Sequence, residues 1–266
     1  MPLSILVALA LLAWVPAQAQ WLNYPTAGVP KTPSGLLNLG APAPRTADGK
    51  PDFSGIWQTE ERPCPPEGCF DMQTSAQFLD IGAKIKGGLP YQPWAAALVK
   101  QRIAESGKDD QETQCGPSGV PRQHVHPTLR KFIQVQDLLI VLSERNITFR
   151  QIFLDGRALP KDPLPTWNGY SSAKWDGDTL VVESNGFRDG LWLDRNGSPM
   201  TDAAKVTERF HRINYGNMDV QITVDDPKAY TAPWTTNIPQ FIVLNTDLLD
   251  QICSENDKDV GHLVGK

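Results

Sequence analysis

The chain has 266 residues, with 25 Lys and Arg against 30 Asp and Glu and a formal net charge of −5. A mildly acidic chain with interspersed signs has no electrostatic grip on nucleic acid or on an anionic membrane, which leaves a small-molecule ligand or substrate as the expected partner. With 21 Gly and 23 Pro it is too rich in breakers for a helical bundle, and its length suits one large domain or two small ones.

The chain opens with an apolar run, Leu3 to Val15, followed by Pro16 and the small-residue stretch Ala17-Gln18-Ala19 before Gln20. This pattern predicts a signal peptide over residues 1–19 and a periplasmic or secreted protein. The run falls short of the roughly 20 apolar residues that span a bilayer, so a retained anchor is the weaker reading. Residues 20–50 are rich in Pro, Gly and Ala without a sustained period and read as an extended leader.

A single β-barrel domain is expected over 51–266, with a helical insertion near 74–106. Its first strand is Asp52 to Glu60, carrying Gly55-Ile56-Trp57. The best helical segment is Tyr91 to Ser106, where Trp94, Leu98 and Ile103 share a face, Pro93 fits the first turn and Gly107 can end it. Further strands are Lys131 to Gln136, Leu138 to Glu144, Ile147 to Leu154, Ala173 to Trp175, Thr179 to Ser184, Val206 to Ile213 and Met218 to Val224. Phe241 to Leu244 is a last apolar piece.

Between these runs stands a ladder of turn signals: Asp155-Gly156, Asn168-Gly169, Asp176-Gly177, Asn185-Gly186, Asn196-Gly197 and Tyr215-Gly216-Asn217. Asn-Gly and Asp-Gly reach positive φ cheaply and so favour turns between antiparallel strands. The fold class expected is mainly β, an antiparallel up-and-down barrel, because closing a long meander removes its edges.

Four cysteines follow the leader region. In an exported chain they predict disulfides, Cys64 with Cys69 across a Pro-Pro-Glu-Gly spacer and Cys115 with Cys253 by elimination. The alternative, a four-cysteine zinc site, lacks the paired Cys-x2-Cys spacing.

The stretches Arg150-Gln151-Ile152-Phe153-Leu154-Asp155-Gly156-Arg157, Pro165-Thr166-Trp167-Asn168-Gly169-Tyr170-Ser171 and Lys174-Trp175-Asp176-Gly177-Asp178-Thr179-Leu180-Val181-Val182 resemble a large family of exported proteins from soil proteobacteria and acidobacteria. Thr207-Glu208-Arg209-Phe210-His211-Arg212 and Asp225-Asp226-Pro227 through Pro233-Trp234-Thr235 extend the resemblance. It implies no mechanism, since the family carries no established activity. The Gly-Ile-Trp start and the meander are also similar to lipocalin-like barrels, which implies a pocket and no chemistry.

Strand alternation leaves two arrangements open. One packs Phe149, Phe153, Leu180, Val182 and Phe210 as core; the other turns Arg150, Glu183, Arg209 and His211 into a polar lumen. If those four lie outside they are surface charge pairs. If they lie inside they form a candidate catalytic set, with Glu183 and His211 moving a proton and Arg150 or Arg209 holding a carboxylate or oxyanion.

Trp167, Tyr170 and Trp192 are candidate ligand-binding aromatics, while Trp57 and Trp175, inside strands, read as core. His124 and His126 join the ligand-binding candidates. A metal at this pair is disfavoured by the positive charge of Arg122, Arg130 and Lys131, and solvated loop histidines are the bland alternative. Nucleotide-binding motifs and a nucleophile elbow are absent, so no cofactor is expected.

These features suggest a barrel that binds a small, partly apolar or aromatic molecule and transforms it by cofactor-free acid–base chemistry, as a lyase, isomerase or hydrolase. Two alternatives are a non-catalytic carrier and an envelope structural or interaction protein, the last favoured by a barrel centre filled with aromatics.

Overall fold

The computed structural model describes residues 25–59 and 75–253. The predicted signal peptide and the Cys64–Cys69 pairing lie outside these residues.

Among the described residues, strands β1 (Gly55–Thr59), β2 (Arg130–Val135), β3 (Leu138–Ser143), β4 (Thr148–Phe153), β5 (Tyr170–Asp176) and β6 (Thr179–Asn185) belong to one closed barrel. After a short hairpin, β7 (Leu191–Trp192) and β8 (Pro199–Met200), the barrel is completed by β9 (Lys205–Arg212), β10 (Asn217–Asp225) and β11 (Trp234–Val243). The order around the wall is β1-β11-β10-β9-β6-β5-β4-β3-β2, nine strands in all.

An odd number of strands cannot close with every neighbour antiparallel. The exception is β4 with β5, which run parallel and pair only at Ile152 with Ser171 and Phe153 with Ser172. The barrel is therefore up-and-down with one parallel seam. The chain between β4 and β5 must travel back the length of the wall, and it does so along the outside. There Asn185 Nδ2 donates to the Pro160 carbonyl at 2.8 Å, and Thr166 bridges Phe187 in parallel. Asp155-Gly156 and Asn168-Gly169 mark the two ends of this crossover.

Inward alternation is clean on most strands. β10 sends in Met218, Val220, Ile222 and Val224; β6 sends in Leu180 and Val182; β3 sends in Leu139 and Val141. Phe53, Trp57, Phe132 and Phe210 fill the interior, with Phe53 stacked on Trp175 at 5.9 Å. Each large apolar side chain so buried contributes about 1.5–3 kcal/mol.

Strand β11 is longer than the sequence predicts. Pro239 interrupts its pattern, yet Pro239 lies just beyond the stretch where β1 pairs, Ile56–Thr59 against Gln240–Val243, so its missing N–H costs no ladder bond on that side.

Both mouths of the barrel are covered. The leader closes one: Arg45 is paired with Asp178 in the β5–β6 turn, Gly216 N–H donates to the Leu39 carbonyl at 2.9 Å, and Arg212 donates to the Asp52 carbonyl. Within 25–50 the leader carries only isolated bridges. The other mouth is covered by helices α1 (Ala76–Leu79) and α2 (Pro93–Ala104), the β7–β8 hairpin and a plug made by residues 107–128. Helix α2 begins at Pro93 as expected, but it buries Ala95 and Val99 and leaves Trp94 and Ile103 exposed. The predicted Trp94–Leu98–Ile103 face is thus not the packed one. The Cys115–Cys253 disulfide ties the plug to the C-terminal segment, as the cysteine count predicts.

Candidate functional site

The plug presents two short 3-10 turns, Gln111–Gln114 and Arg122–His124. Asp110 accepts from the Glu112 N–H at 3.0 Å, then from both terminal nitrogens of Arg122, each at 2.7 Å, and from Arg195 at 2.8 Å. Glu112 adds Arg122 at 3.1 Å and the Ser118 hydroxyl at 2.5 Å. Burial alone would raise the Glu112 carboxyl, but His126, Arg122 and Ser118 together hold it at about 2.

From this cap His124 reaches down into the barrel, where its Nε2 lies 2.7 Å from Glu208 Oε1 on β9. The ring is fully enclosed. Burial lowers its basicity, against the pull of Glu208 and with the help of Arg130 and Arg150 nearby. We assign it as neutral, with Nε2–H donating to Glu208, which leaves Nδ1 a buried acceptor without a partner among the described residues.

Glu208 is the centre of the buried polar cluster. Arg150 of β4 donates to its Oε1 at 2.9 Å and also to Oε2. Burial would push the Glu208 carboxyl up, but Arg150 and His124 hold it at about 2. The same guanidinium donates to Ser171 Oγ at 3.1 and 3.0 Å and to Ser184 Oγ at 3.1 Å. Arg150 thereby ties β4 to β5, β6 and β9 in the half of the seam where β4 and β5 lack backbone pairing. Arg130 stands beside this cluster with carbonyl acceptors only: the backbones of Gln123 and His126 and the Gln240 amide. Burial pulls it down to about 9, so it stays charged at neutral pH.

Above Arg150 the seam opens outward into a cleft of about 440 Å³. Phe149 and Phe153 of β4 form one wall, Trp167 and Tyr170 another, and Pro117 of the plug with Ile147 of the β3–β4 turn close the end. Phe149 is 64% exposed, a large apolar ring left without cover. Phe153 and Tyr170 stack at 5.3 Å, and the Arg157 guanidinium lies 4.0 Å from the Phe153 centroid. Asn168 Nδ2 caps the free Phe149 carbonyl at 3.0 Å, doing what a neighbouring strand would have done. Gly119 is held at φ +72°, and a Cβ there would meet the Trp167 carbonyl at 2.8 Å, so glycine lets the plug press against the cleft loop.

The candidate catalytic set is not brought together. Glu183, Arg209 and His211 point out of the wall, and Arg209 is ion-paired with Asp176 at 2.8 Å. Arg150 alone faces inward. Neither arrangement read from alternation holds as a whole: Leu180, Val182 and Phe210 are core, whereas Phe149 and Phe153 line the outer cleft. Glu183 lies in a second wall cleft of about 300 Å³ with Lys205, Thr207 and Asp225.

Of the ligand-binding candidates, Trp167 and Tyr170 line the seam cleft. Trp192 is buried under the Arg102 guanidinium, 4.2 Å from its ring centroid, and does not reach it. His124 and His126 are not solvated loop histidines but enclosed parts of the plug, His124 ending a 3-10 turn and His126 following it. Among the described residues no three side chains of metal-ligand type converge.

Glu208 and Ser171 were not singled out from sequence. The signal for Glu208 is its place between Val206 and Phe210 on the apolar face of a strand, where a carboxylate needs a buried partner. No protein-family model matches the chain, and a search of curated proteins returns no significant relative.

Proposed function

We propose that this is an exported protein that binds a small, partly apolar, aromatic molecule in the seam cleft without transforming it. The observation that carries this reading is the ring of Phe149, Phe153, Trp167 and Tyr170 around a cleft whose size falls in the range of small-ligand sites. The polar cluster beneath favours holding over turnover. Arg150, Glu208 and Ser171 are committed to one another, and the groups first assigned to proton transfer stand on the outer wall. Export is supported by the Leu3 to Val15 run with its small-residue boundary and by a disulfide of the kind that oxidising compartments maintain.

Titration with naphthol, read by tryptophan fluorescence, tests the reading. Saturable binding is expected, weakened about tenfold or more by Phe149→Ala or Tyr170→Ala, the scale of losing a stacked aromatic contact. Binding untouched by both substitutions would place the ligand elsewhere. A second reading, an envelope structural or interaction protein, is favoured by the barrel centre being filled with Phe53, Trp57, Phe132 and Phe210. It gains if no small aromatic binds at all.

A further inference from the structure

The seam cleft has a charge character that its aromatic walls do not reveal. Acids outnumber bases in the chain, 30 to 25, yet among the described residues no Asp or Glu lines the cleft. Three arginines lie in or beside it. Arg150, in the floor, is neutralised by Glu208 and saturated by two serines. Arg157, at the rim, is paired with Asp155 at 2.5 Å. Both therefore act as neutral pairs.

Arg188 is different. Its backbone N–H is fixed to the Thr166 carbonyl at 3.0 Å, directly beside the cleft lining, and its guanidinium carbon sits 4.8 Å from the Trp167 centroid. The residue is exposed. Among the described residues its side chain has no hydrogen-bond acceptor and no carboxylate within ion-pair distance; Asp189, next in the chain, does not pair with it. A guanidinium stacked on an aromatic ring keeps its in-plane donors free, and those donors match a carboxylate in a two-point bond.

We infer that the ligand of the seam cleft is a planar aromatic anion, its ring laid against Phe149, Tyr170 and Trp167 and its carboxylate taken by Arg188. This rests on the seam cleft being the ligand site. It adds the ligand class and the residue that selects it.

Calorimetric titration of the full mature chain with naphthoate and with naphthamide, its neutral near-isostere, separates the two claims. Naphthoate is expected to bind at least about tenfold more tightly, the scale of a charge-assisted hydrogen bond, and to lose that advantage as salt is raised. Arg188→Gln should close the gap between the two ligands, and Arg188→Lys should keep a preference for the anion. Equal affinity of naphthoate and naphthamide for the parent protein would overturn the anion assignment and leave a neutral aromatic site standing. A preference that survives Arg188→Gln would overturn the role of Arg188. Failure of both ligands to bind would remove the seam-cleft reading itself.

Discussion

Replacing Glu208 by Gln isolates the interaction on which the seam depends. In the parent protein the charges around the seam cluster are Arg130, Arg150 and Glu208, with His124 neutral, a net of one positive charge. Glu208→Gln raises that to two and leaves the Arg150 guanidinium, 2% exposed, with hydroxyls and one amide oxygen as partners. Removing one member of a buried pair costs about 3–5 kcal/mol. That is a large share of the roughly 5–15 kcal/mol by which a domain is stable.

Urea unfolding at neutral pH, followed by tryptophan fluorescence, reads the loss directly. Two comparisons sharpen it. Glu183→Gln, on the outer wall, should stay within about 0.5 kcal/mol of the parent. The double change Arg150→Met with Glu208→Leu removes both charges. Ser171 and Ser184 remain satisfied by each other at 2.9 Å, and the main remaining cost is His124 losing its acceptor, about 1–3 kcal/mol. The double variant should therefore be more stable than Glu208→Gln alone. A cost below about 1 kcal/mol for Glu208→Gln would refute the dry, paired cluster, as would a double variant less stable than the single one.

Stability should fall with acid in two stages. Burial lowers the folded-state basicity of His124 and His126, so below about pH 6.5 the unfolded chain takes up protons that the native state refuses. The carboxyls of Glu112 and Glu208 are held at about 2, so their contribution is complete above about 4.3, the unfolded value, and is lost as the pH falls through the folded one. A urea midpoint that does not change between roughly pH 8 and pH 5 would contradict neutral buried histidines. Gly119→Ala should cost about 1–3 kcal/mol and weaken ligand binding, because the added Cβ drives the Trp167 backbone outward; unchanged melting and affinity would show the plug free to yield. Cys115→Ser should cost about 2–4 kcal/mol by freeing a loop of sequence separation 138, measurable as a shift in thermal midpoint against the oxidised parent.

The barrel was legible because its strands alternate and its turns use residues that tolerate positive φ. Gly177 sits at φ +59° and Gly197 at φ +85°, each in the hairpin its Asp-Gly or Asn-Gly pair implies. Gly156 and Gly169 also have positive φ, but they begin and end a crossover and do not close hairpins. Turn chemistry fixes the local bend and says nothing of where the chain goes next, so the parallel seam was not readable.

The same limit hid the site. On β4 Phe149 and Phe153 face out because the wall is open there, while Arg150 faces in to bridge it beside the buried Ile152. A rule that turns apolar side chains inward assigns that strand backwards. Trp167 and Tyr170 were legible as loop aromatics near a strand start. Phe149 was not, since its exposure follows from the missing neighbour and not from its own sequence. Glu208 carried a usable signal, a lone carboxylate in register with Val206 and Phe210, but its partners come from β4 and from the plug, 58 and 84 residues away.

An amide-resolved NMR titration with naphthamide, a ligand neutral enough to test the cleft apart from its charge, bears most directly on where this protein binds. Shifts concentrated at Ile147 to Gln151 and Thr166 to Ser171, with Pro117's neighbours in the plug following, are the predicted result. Shifts centred on the Glu183 cleft, on the leader, or spread through the barrel interior around Phe132 and Phe210 would contradict the seam as the binding site.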